Sequence, residues 1–221
     1  MSNIEEEIEA CKQAVRLNSD DAEAHYNLGY VYGKSGMYKE KIESYKQAIR
    51  LNPDLAADYN LLGREQLWNR LYKEAIENSK KAIELDPKVA HYYVNLTRAQ
   101  RMLGLSEETV ETYKKAIEHN PEDTGYYIGL GLAQCRLGLK DEAIESIEKA
   151  IELEPNDVGS YYGNLGYVQY ECGLYKEAIE NYKKAIGLEP EGGVYYYQDI
   201  GHAQRKLGLY KEAIENYKKI I

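Results

Sequence analysis

The sequence predicts an all-α protein built as a solenoid, a linear stack of similar helix pairs, and two regularities carry that prediction. The first is the spacing of the prolines, which follow one another at 34, 34, 34 and 35 residues: Pro53, Pro87, Pro121, Pro155 and Pro190. The second is a slot in register with them that holds Thr97 in one copy and glycine in the others: Gly29, Gly63, Gly131, Gly166 and Gly201. A period of this length is typical of units that bury their apolar faces only against neighbouring units.

Each repeat predicts two helices. The first places a large ring four residues before the glycine slot and a leucine or isoleucine directly before it, which is helical spacing. The rings are His25, Tyr59, Tyr93, Tyr127, Tyr162 and Tyr197. The second helix repeats the pattern Tyr-Lys-Glu-Ala-Ile-Glu-Asn-Tyr-Lys-Lys-Ala-Ile, which is clearest at residues 175–186. It ends before the proline, because proline cannot continue a helix interior and restricts the residue before it.

These slots resemble the tetratricopeptide repeat, a motif of about 34 residues. In that family an aromatic stands at position 4, Leu-Gly at 7 and 8, an aromatic at 11, alanines at 20 and 27, and proline at 32. The resemblance implies a right-handed superhelical solenoid of about six repeats in a single array. A lone helix of the second type would occupy residues 1–19, followed by repeats at 22–55, 56–89, 90–123, 124–158, 159–193 and 194–221.

The chain departs from the motif in three ways. Position 11 is Tyr32 once and glutamine in the other repeats: Gln66, Gln100, Gln134, Gln169 and Gln204. Lys41 and Thr109 replace the small alanine at position 20. The last two junctions, at about 156–160 and 191–194, each carry one extra residue, and we expect them to change the angle between repeats.

Composition limits the possible functions. The chain has 28 basic and 37 acidic residues and a net charge of −9, which argues against binding nucleic acid or an anionic membrane through bulk charge. No apolar run reaches the roughly 18 residues of a membrane span, and the acidic N-terminus does not resemble a secretion signal. We therefore predict a cytoplasmic location and no membrane insertion. Cys11, Cys135 and Cys172 are odd in number and lie in different repeats, which predicts free thiols.

Catalytic patterns are weak in this sequence. It contains no paired-cysteine spacing, no His-Glu-x-x-His and no glycine-rich loop between a strand and a helix. The four histidines belong to different places in the array. We predict that the protein is not an enzyme and has no catalytic residue, metal or cofactor.

The resemblance implies that positions 2, 5, 6, 9, 12 and 13 of each first helix face a concave groove. These positions hold three acidic residues, Glu23, Glu171 and Asp199, against seven basic ones: Lys34, Arg64, Arg98, Arg101, Arg136, Arg205 and Lys206. This balance is opposite in sign to that of the whole chain. Because arginine holds carboxylates and phosphates with paired hydrogen bonds, we expect an acidic or phosphorylated peptide as partner. The alternative is that these arginines pair with acids on neighbouring helices.

Asparagines and exposed rings complete the predicted groove. Asn27, Asn95 and Asn164 share position 6 and resemble the asparagine ladder of some superhelical members of the family. An amide both donates and accepts, so it can bind an extended peptide backbone, although simple surface polarity is an alternative. The candidate groove residues are Asn27, Tyr30, Asn60, Arg64, Trp68, Asn95, Arg98, Arg101, Arg136, Asn164 and Tyr167.

The sequence thus predicts a non-enzymatic scaffold that binds an extended, acidic peptide segment in its groove. Two alternatives stay open at this point. One is a structural module that self-associates end to end, since the array opens on a lone second helix and closes without a polar capping helix. The other is the recognition arm of a larger protein or enzyme.

Overall fold

The computed structural model describes residues 3–155, 158–190 and 193–220, and this part of the chain contains thirteen α-helices and no β-strand. They form two compact units, Met1–Leu105 and Ser106–Ile221. In each unit a short turn folds a second helix back against the first, and successive pairs stack along the chain. The predicted all-α solenoid of helix pairs is therefore confirmed. The joining of all repeats into one array stays a prediction.

Unit 1 contains a lone helix, two helix pairs and a further first helix. The helices are α1 (Asn3–Leu17), α2 (Ala22–Lys34), α3 (Tyr38–Leu51), α4 (Ala56–Trp68), α5 (Tyr72–Leu85) and α6 (Ala90–Met102). Helix α4 packs against α5 and also lies beside α6, so two first helices are neighbours in this unit.

Unit 2 begins with a second helix and continues with three pairs. The helices are α7 (Ser106–His119), α8 (Thr124–Arg136), α9 (Lys140–Leu153), α10 (Val158–Glu171), α11 (Tyr175–Leu188), α12 (Gly193–Lys206) and α13 (Tyr210–Lys218). Helix α10 lies beside α8 as well as against α11. The predicted changes of angle at 156–160 and 191–194 involve Asn156, Asp157, Glu191 and Gly192, which lie outside the described residues.

The turn that follows each first helix has a left-handed backbone. Its φ values lie between 73° and 79° at five glycines: Gly36, Gly104, Gly138, Gly173 and Gly208. In the α4–α5 turn the same place is taken by Arg70, with φ 61°. There the N–H of Leu71 donates to the carbonyl of Gln66 at 2.8 Å, and the glycine turns contain the same hydrogen bond, which closes the end of the first helix.

The glutamines at position 11 are buried and form hydrogen bonds that explain their departure from the motif. Each Oε1 accepts from a residue twelve positions later on the second helix, in four pairs: Gln66–Asn78 (2.8 Å), Gln134–Ser146 (2.7 Å), Gln169–Asn181 (2.7 Å) and Gln204–Asn216 (2.9 Å). A polar contact thus replaces the expected aromatic packing inside each pair. Gln100 is the exception, because its Oε1 has no hydrogen-bond partner among the described residues.

The prediction of free thiols is wrong for two of the three cysteines. Cys135 on α8 and Cys172 at the end of α10 form a disulfide whose Cα atoms are 5.2 Å apart. Counting cysteines per repeat missed it because α8 and α10 lie side by side although their residues are 37 positions apart. Cys11 remains a thiol, and its pKa is raised by partial burial and by the nearby Glu7 carboxylate.

We expect removal of only one partner to reveal how much the Gln134–Ser146 hydrogen bond contributes to the free energy of unfolding. Ser146→Ala should lower the free energy of unfolding by about 1–3 kcal/mol, because the Gln134 oxygen stays buried without a donor. Adding Gln134→Leu should restore much of that loss, since neither side then carries an unsatisfied group. Urea denaturation gives the values, with the exposed Glu148→Ala as control. A Ser146→Ala loss no larger than that control would contradict this account.

The disulfide should stabilise unit 2 under oxidising conditions. Cys172→Ser should lower the free energy of unfolding by about 2–4 kcal/mol, because it opens a closed loop spanning 37 positions in the unfolded chain. Reductant should cause a similar loss in the wild type and none in the variant. Cys11→Ser is the matched control and should have little effect. Equal stability of the wild type with and without reductant would refute the expectation.

Candidate functional site

Five candidate groove residues form one surface on α4 and α6, which we call the α4–α6 surface: Asn60, Arg64, Trp68, Asn95 and Arg98. Two contacts connect the helices across it. The amide Nδ2 of Asn95 donates to Oδ1 of Asn60 at 2.7 Å. The guanidinium carbon of Arg98 lies 5.6 Å from the centroid of the Trp68 ring, a cation–π contact.

Helical periodicity places these side chains on one face. Asn60, Arg64 and Trp68 follow each other at four-residue steps on α4, so they share a stripe. The opposite side of each helix is buried, as at Leu62 and Leu96, which are 3% and 4% exposed. Packing thus fixes the rotation of both helices and turns the stripe toward solvent, where 69% of Trp68 is exposed.

Trp68 lines two depressions. One has a volume of about 600 Å³ and is lined by Tyr38, Arg64, Glu65, Trp68 and Asn69. The other has a volume of about 140 Å³ and is lined by Leu67, Trp68, Arg70, Tyr72, Arg98 and Met102. An exposed tryptophan that lines two concave regions is the kind of side chain that dominates binding energy at protein interfaces.

A buried ion pair lies directly behind this surface and explains the lysine at position 20. Lys41 Nζ is 2.8 Å from Glu65 Oε2, with both side chains largely buried. Gly33 makes room for it, because a Cβ there would lie 2.8 Å from Lys41 Nζ. Sequence reasoning noted the unusual Lys41 but missed its partner, which comes from the next repeat.

Ion pairs reduce the predicted positive charge at two positions. Arg64 Nη2 is 3.4 Å from Glu65 Oε1 on its own helix. Lys34 Nζ is 2.7 Å from Glu7 Oε2 on α1, and this hydrogen bond raises the pKa of the Lys34 ammonium. Neither Arg98 nor Arg101 forms an ion pair within the described ranges, and both are exposed. These two arginines therefore retain their charge for a partner.

Asn27 and Tyr30 lie on α2, outside the α4–α6 surface. Asn27 is exposed and lines a depression of about 400 Å³ together with Ala22, Glu23, Tyr26, Asn52, Leu55 and Asp58. Burial raises the pKa of the Asp58 carboxyl. Tyr30 is 56% exposed, and Lys34 Nζ lies 5.9 Å from the centroid of its ring.

The remaining candidates belong to unit 2. Arg136 is exposed at the end of α8, whereas Asn164 and Tyr167 lie on α10, where Tyr167 is 43% exposed. The predicted asparagine ladder is thus divided, with Asn27 and Asn95 in unit 1 and Asn164 in unit 2. A ladder that grips one peptide stays a prediction.

The described residues contain neither a candidate metal site nor a candidate membrane span. No group of three or more histidine, cysteine, aspartate or glutamate residues there could hold a metal ion. None of the helices found in residues 3–155, 158–190 and 193–220 combines the length and apolar character of a membrane span.

Comparison with known families places the repeats in the chain. Models of the tetratricopeptide repeat match residues 22–55, 59–89, 125–157, 159–191 and 194–221, and a TPR repeat model matches residues 3–36. No curated protein matches the chain. The matches span both units and include the stretches that form α2–α5 and α8–α13.

Solved structures share this arrangement of helices. The MamA protein is 28% identical, with a TM-score of 0.65, and the alignment covers 79% of this chain and 94% of MamA. YrrB, described as a TPR protein with an unusual peptide-binding site, is 22% identical, with a TM-score of 0.65 and coverage of 90% and 99%. A tetratricopeptide repeat protein from Parabacteroides merdae is 20% identical, with a TM-score of 0.77 and coverage of 90% and 78%. At these identities, the last two show the fold alone.

The buried ion pair gives a prediction about the support of the α4–α6 surface. Lys41→Met should lower the free energy of unfolding by about 3 kcal/mol, because Glu65 keeps its buried charge with only the longer contact to Arg64. Lys41→Met combined with Glu65→Leu should recover much of the loss, since no charge is then buried.

The exposed pair Lys46–Glu43 supplies the matched control. Lys46→Met should change stability by less than about 1 kcal/mol, because water screens exposed pairs. Urea denaturation measures all three variants. Equal losses in the two lysine variants would mean that the Lys41–Glu65 contact has no special value.

Proposed function

Because the chain belongs to the tetratricopeptide repeat family, we propose that it is a non-enzymatic scaffold that binds an extended, acidic or phosphorylated peptide segment. The peptide lies along the first helices, and the α4–α6 surface of unit 1 is its main contact. The observation that carries the proposal is the stacking of Arg98 on the exposed Trp68, with Arg101 nearby on the same helix and both cations without an ion pair in the described part of the chain.

Charge supports an acidic guest. A guanidinium next to an apolar ring binds carboxylate or phosphate oxygens through charge-assisted hydrogen bonds, while the ring excludes water from them. The whole chain has a net charge of −9, so the arginines gathered on this surface depart locally from the overall charge. A segment of opposite charge would therefore be attracted to this surface and repelled elsewhere.

The asparagine pair supports an extended backbone as guest. Because Asn95 uses one amide hydrogen on Asn60, the Asn60 amide nitrogen and the Asn95 carbonyl oxygen both remain for a ligand. A peptide group offers one donor and one acceptor, which matches this pair. We expect a dissociation constant of about 1 μM for a short peptide, because ordering a flexible chain offsets much of the contact energy.

Self-association through α13 is a second candidate. Tyr210 and Ile214 stand four residues apart on this helix and are 65% and 53% exposed, so they share one apolar stripe. The proposal of a longer parent protein, in which this chain is a recognition arm, stays open beside it. Neither alternative requires Arg98 or Arg101.

A cytoplasmic location belongs to the same proposal. Disulfides are rare in that compartment, so the Cys135–Cys172 bond would be an exception to the usual pattern there.

Charge reversal at α6 tests the groove. Arg98→Glu combined with Arg101→Glu should weaken binding of an acidic peptide by about tenfold or more, because attraction becomes repulsion at a contact of opposite charge. The measurement is fluorescence anisotropy with dye-labelled peptides rich in aspartate and glutamate. Three further sets are compared with them, in which the acids are replaced by phosphoserine, by asparagine and glutamine, or by lysine. Binding of the acidic peptide should also weaken as salt is added.

The matched control reverses the charge of two exposed lysines on α5 of the same unit, as Lys73→Glu with Lys80→Glu. It makes the same change in net charge away from the α4–α6 surface, so it should leave most of the affinity. Equal losses in both double variants would contradict a localised site. Concentration-dependent association that persists in both, with no peptide bound, would favour self-association instead.

A further inference from the structure

The turn between α4 and α5 contains an arginine where five other turns contain glycine. Arg70 has φ 61°, in the left-handed region that residues with a Cβ adopt at a cost. The turn itself does not require this side chain, because its Leu71–Gln66 hydrogen bond is the one that the glycine turns make. A backbone outlier that the fold does not need is a reason to look for a function.

Arg70 lines the smaller depression beside Trp68, which we call the Trp68 pocket. Leu67, Trp68, Tyr72 and Met102 supply its apolar lining, and Arg70 and Arg98 supply its charged groups. Its volume is about 140 Å³, close to the about 150 Å³ of an apolar cavity that binds benzene. The pocket thus has room for one leucine or phenylalanine side chain.

The charged groups at the pocket, Arg70 and Arg98, indicate which group should lie next to the apolar side chain of a ligand. Neither Arg70 nor Arg98 forms an ion pair with any residue that the structure describes, and both are exposed. The Trp68 ring restrains Arg98 by stacking, so less side-chain entropy is lost when Arg98 binds an anion. Two guanidinium groups beside an apolar pocket complement an apolar side chain next to a carboxylate.

We propose that the Trp68 pocket binds a leucine or phenylalanine side chain of an acidic peptide, while Arg70 and Arg98 hold the carboxylate of an adjacent aspartate or glutamate. This inference rests on the proposed peptide-binding function and adds a sequence requirement to it. Acidity alone is then insufficient, and the partner needs a large apolar residue beside its acid. Arg70 is a specificity-determining residue in this account, and its strained backbone is tolerated for that contact.

The position of the single tryptophan makes the test direct, because Trp68 is the only one in the chain. Three blocked, dye-labelled peptides serve as probes: Gly-Glu-Ser-Leu-Asp-Ser-Glu-Gly, in which aspartate is the one acid next to the leucine, the same peptide with serine for leucine, and the same peptide with asparagine for aspartate. Anisotropy reports binding anywhere on the protein, and unlabelled copies report on the pocket through Trp68 emission. We expect the parent to change that emission and the serine peptide to bind about tenfold or more weakly, since a buried leucine side chain is lost.

Substitution of Arg70 separates binding from folding. Arg70→Gly should weaken binding of the parent peptide about fivefold or more, because charge-assisted hydrogen bonds are lost, while Tm stays the same or rises by about 2 °C as the turn is relieved. Arg70→Lys should retain part of the affinity, since the charge remains without the fork geometry. Lys88→Gly removes a positive charge from another exposed turn of unit 1 and should leave binding unchanged.

The outcomes distinguish this inference from the proposed function. If the parent and serine peptides bind equally without a change in Trp68 emission, the pocket proposal fails while the acidic groove stands. If none of the peptides binds by anisotropy, both fail. If Arg70→Gly weakens the parent and asparagine peptides to the same extent, the carboxylate contact is refuted. If Trp68 emission changes with protein concentration alone, a second copy of the chain occupies the pocket and the proposal is overturned.

Discussion

The packing of α8–α9 and of α10–α11 depends on close contact between a glycine of the first helix and the backbone of the second. In α8–α9, a Cβ at Gly131 would lie 2.9 Å from the carbonyl oxygen of Ala143, and in α10–α11 one at Gly166 would lie 3.2 Å from that of Ala178. Such distances are too short for a side chain at Gly131 or Gly166, so a larger residue there would separate the helices of these two pairs. The alanine at position 20 completes the contact and is fully buried in both pairs.

A glycine also makes room for the charged side chain of Lys41 near the α4–α6 surface. Where position 20 is Lys41 instead of alanine, the long side chain runs past Gly33 and ends at Glu65 of the next repeat. Its ammonium pairs with one carboxylate oxygen of Glu65 at 2.8 Å, so that Arg64 makes only the longer contact of 3.4 Å with the other. The cationic character of the α4–α6 surface therefore depends on a residue that is itself hidden from solvent.

Periodicity determined which parts of the molecule the sequence could predict. Prolines and glycines at a fixed interval predicted the helices, and the resemblance to the tetratricopeptide repeat implied the exposed stripe of Asn60, Arg64 and Trp68, which helical spacing then explains. The pairing of Lys34 with Glu7, of Cys135 with Cys172 and of Lys41 with Glu65 depends on which helices become neighbours and on side-chain direction. Arg70 was overlooked because its significance lies in a backbone angle, although its place in a glycine register was visible in the sequence. The groove roles of all the candidate residues, including Asn27, Arg136, Asn164 and Tyr167, stay predictions.

The bond between Cys135 and Cys172 has a mechanical consequence. If unit 2 were pulled from both ends, only the segments outside the disulfide loop could extend, because the two bonded cysteines are 37 positions apart and the chain between them carries no tension. At about 3.4 Å per residue, this withholds roughly 120 Å of contour length until a reductant opens the loop. While the disulfide is intact, the segment from the end of α8 to the end of α10 would add nothing to the extension of unit 2 under force, and reduction would release it.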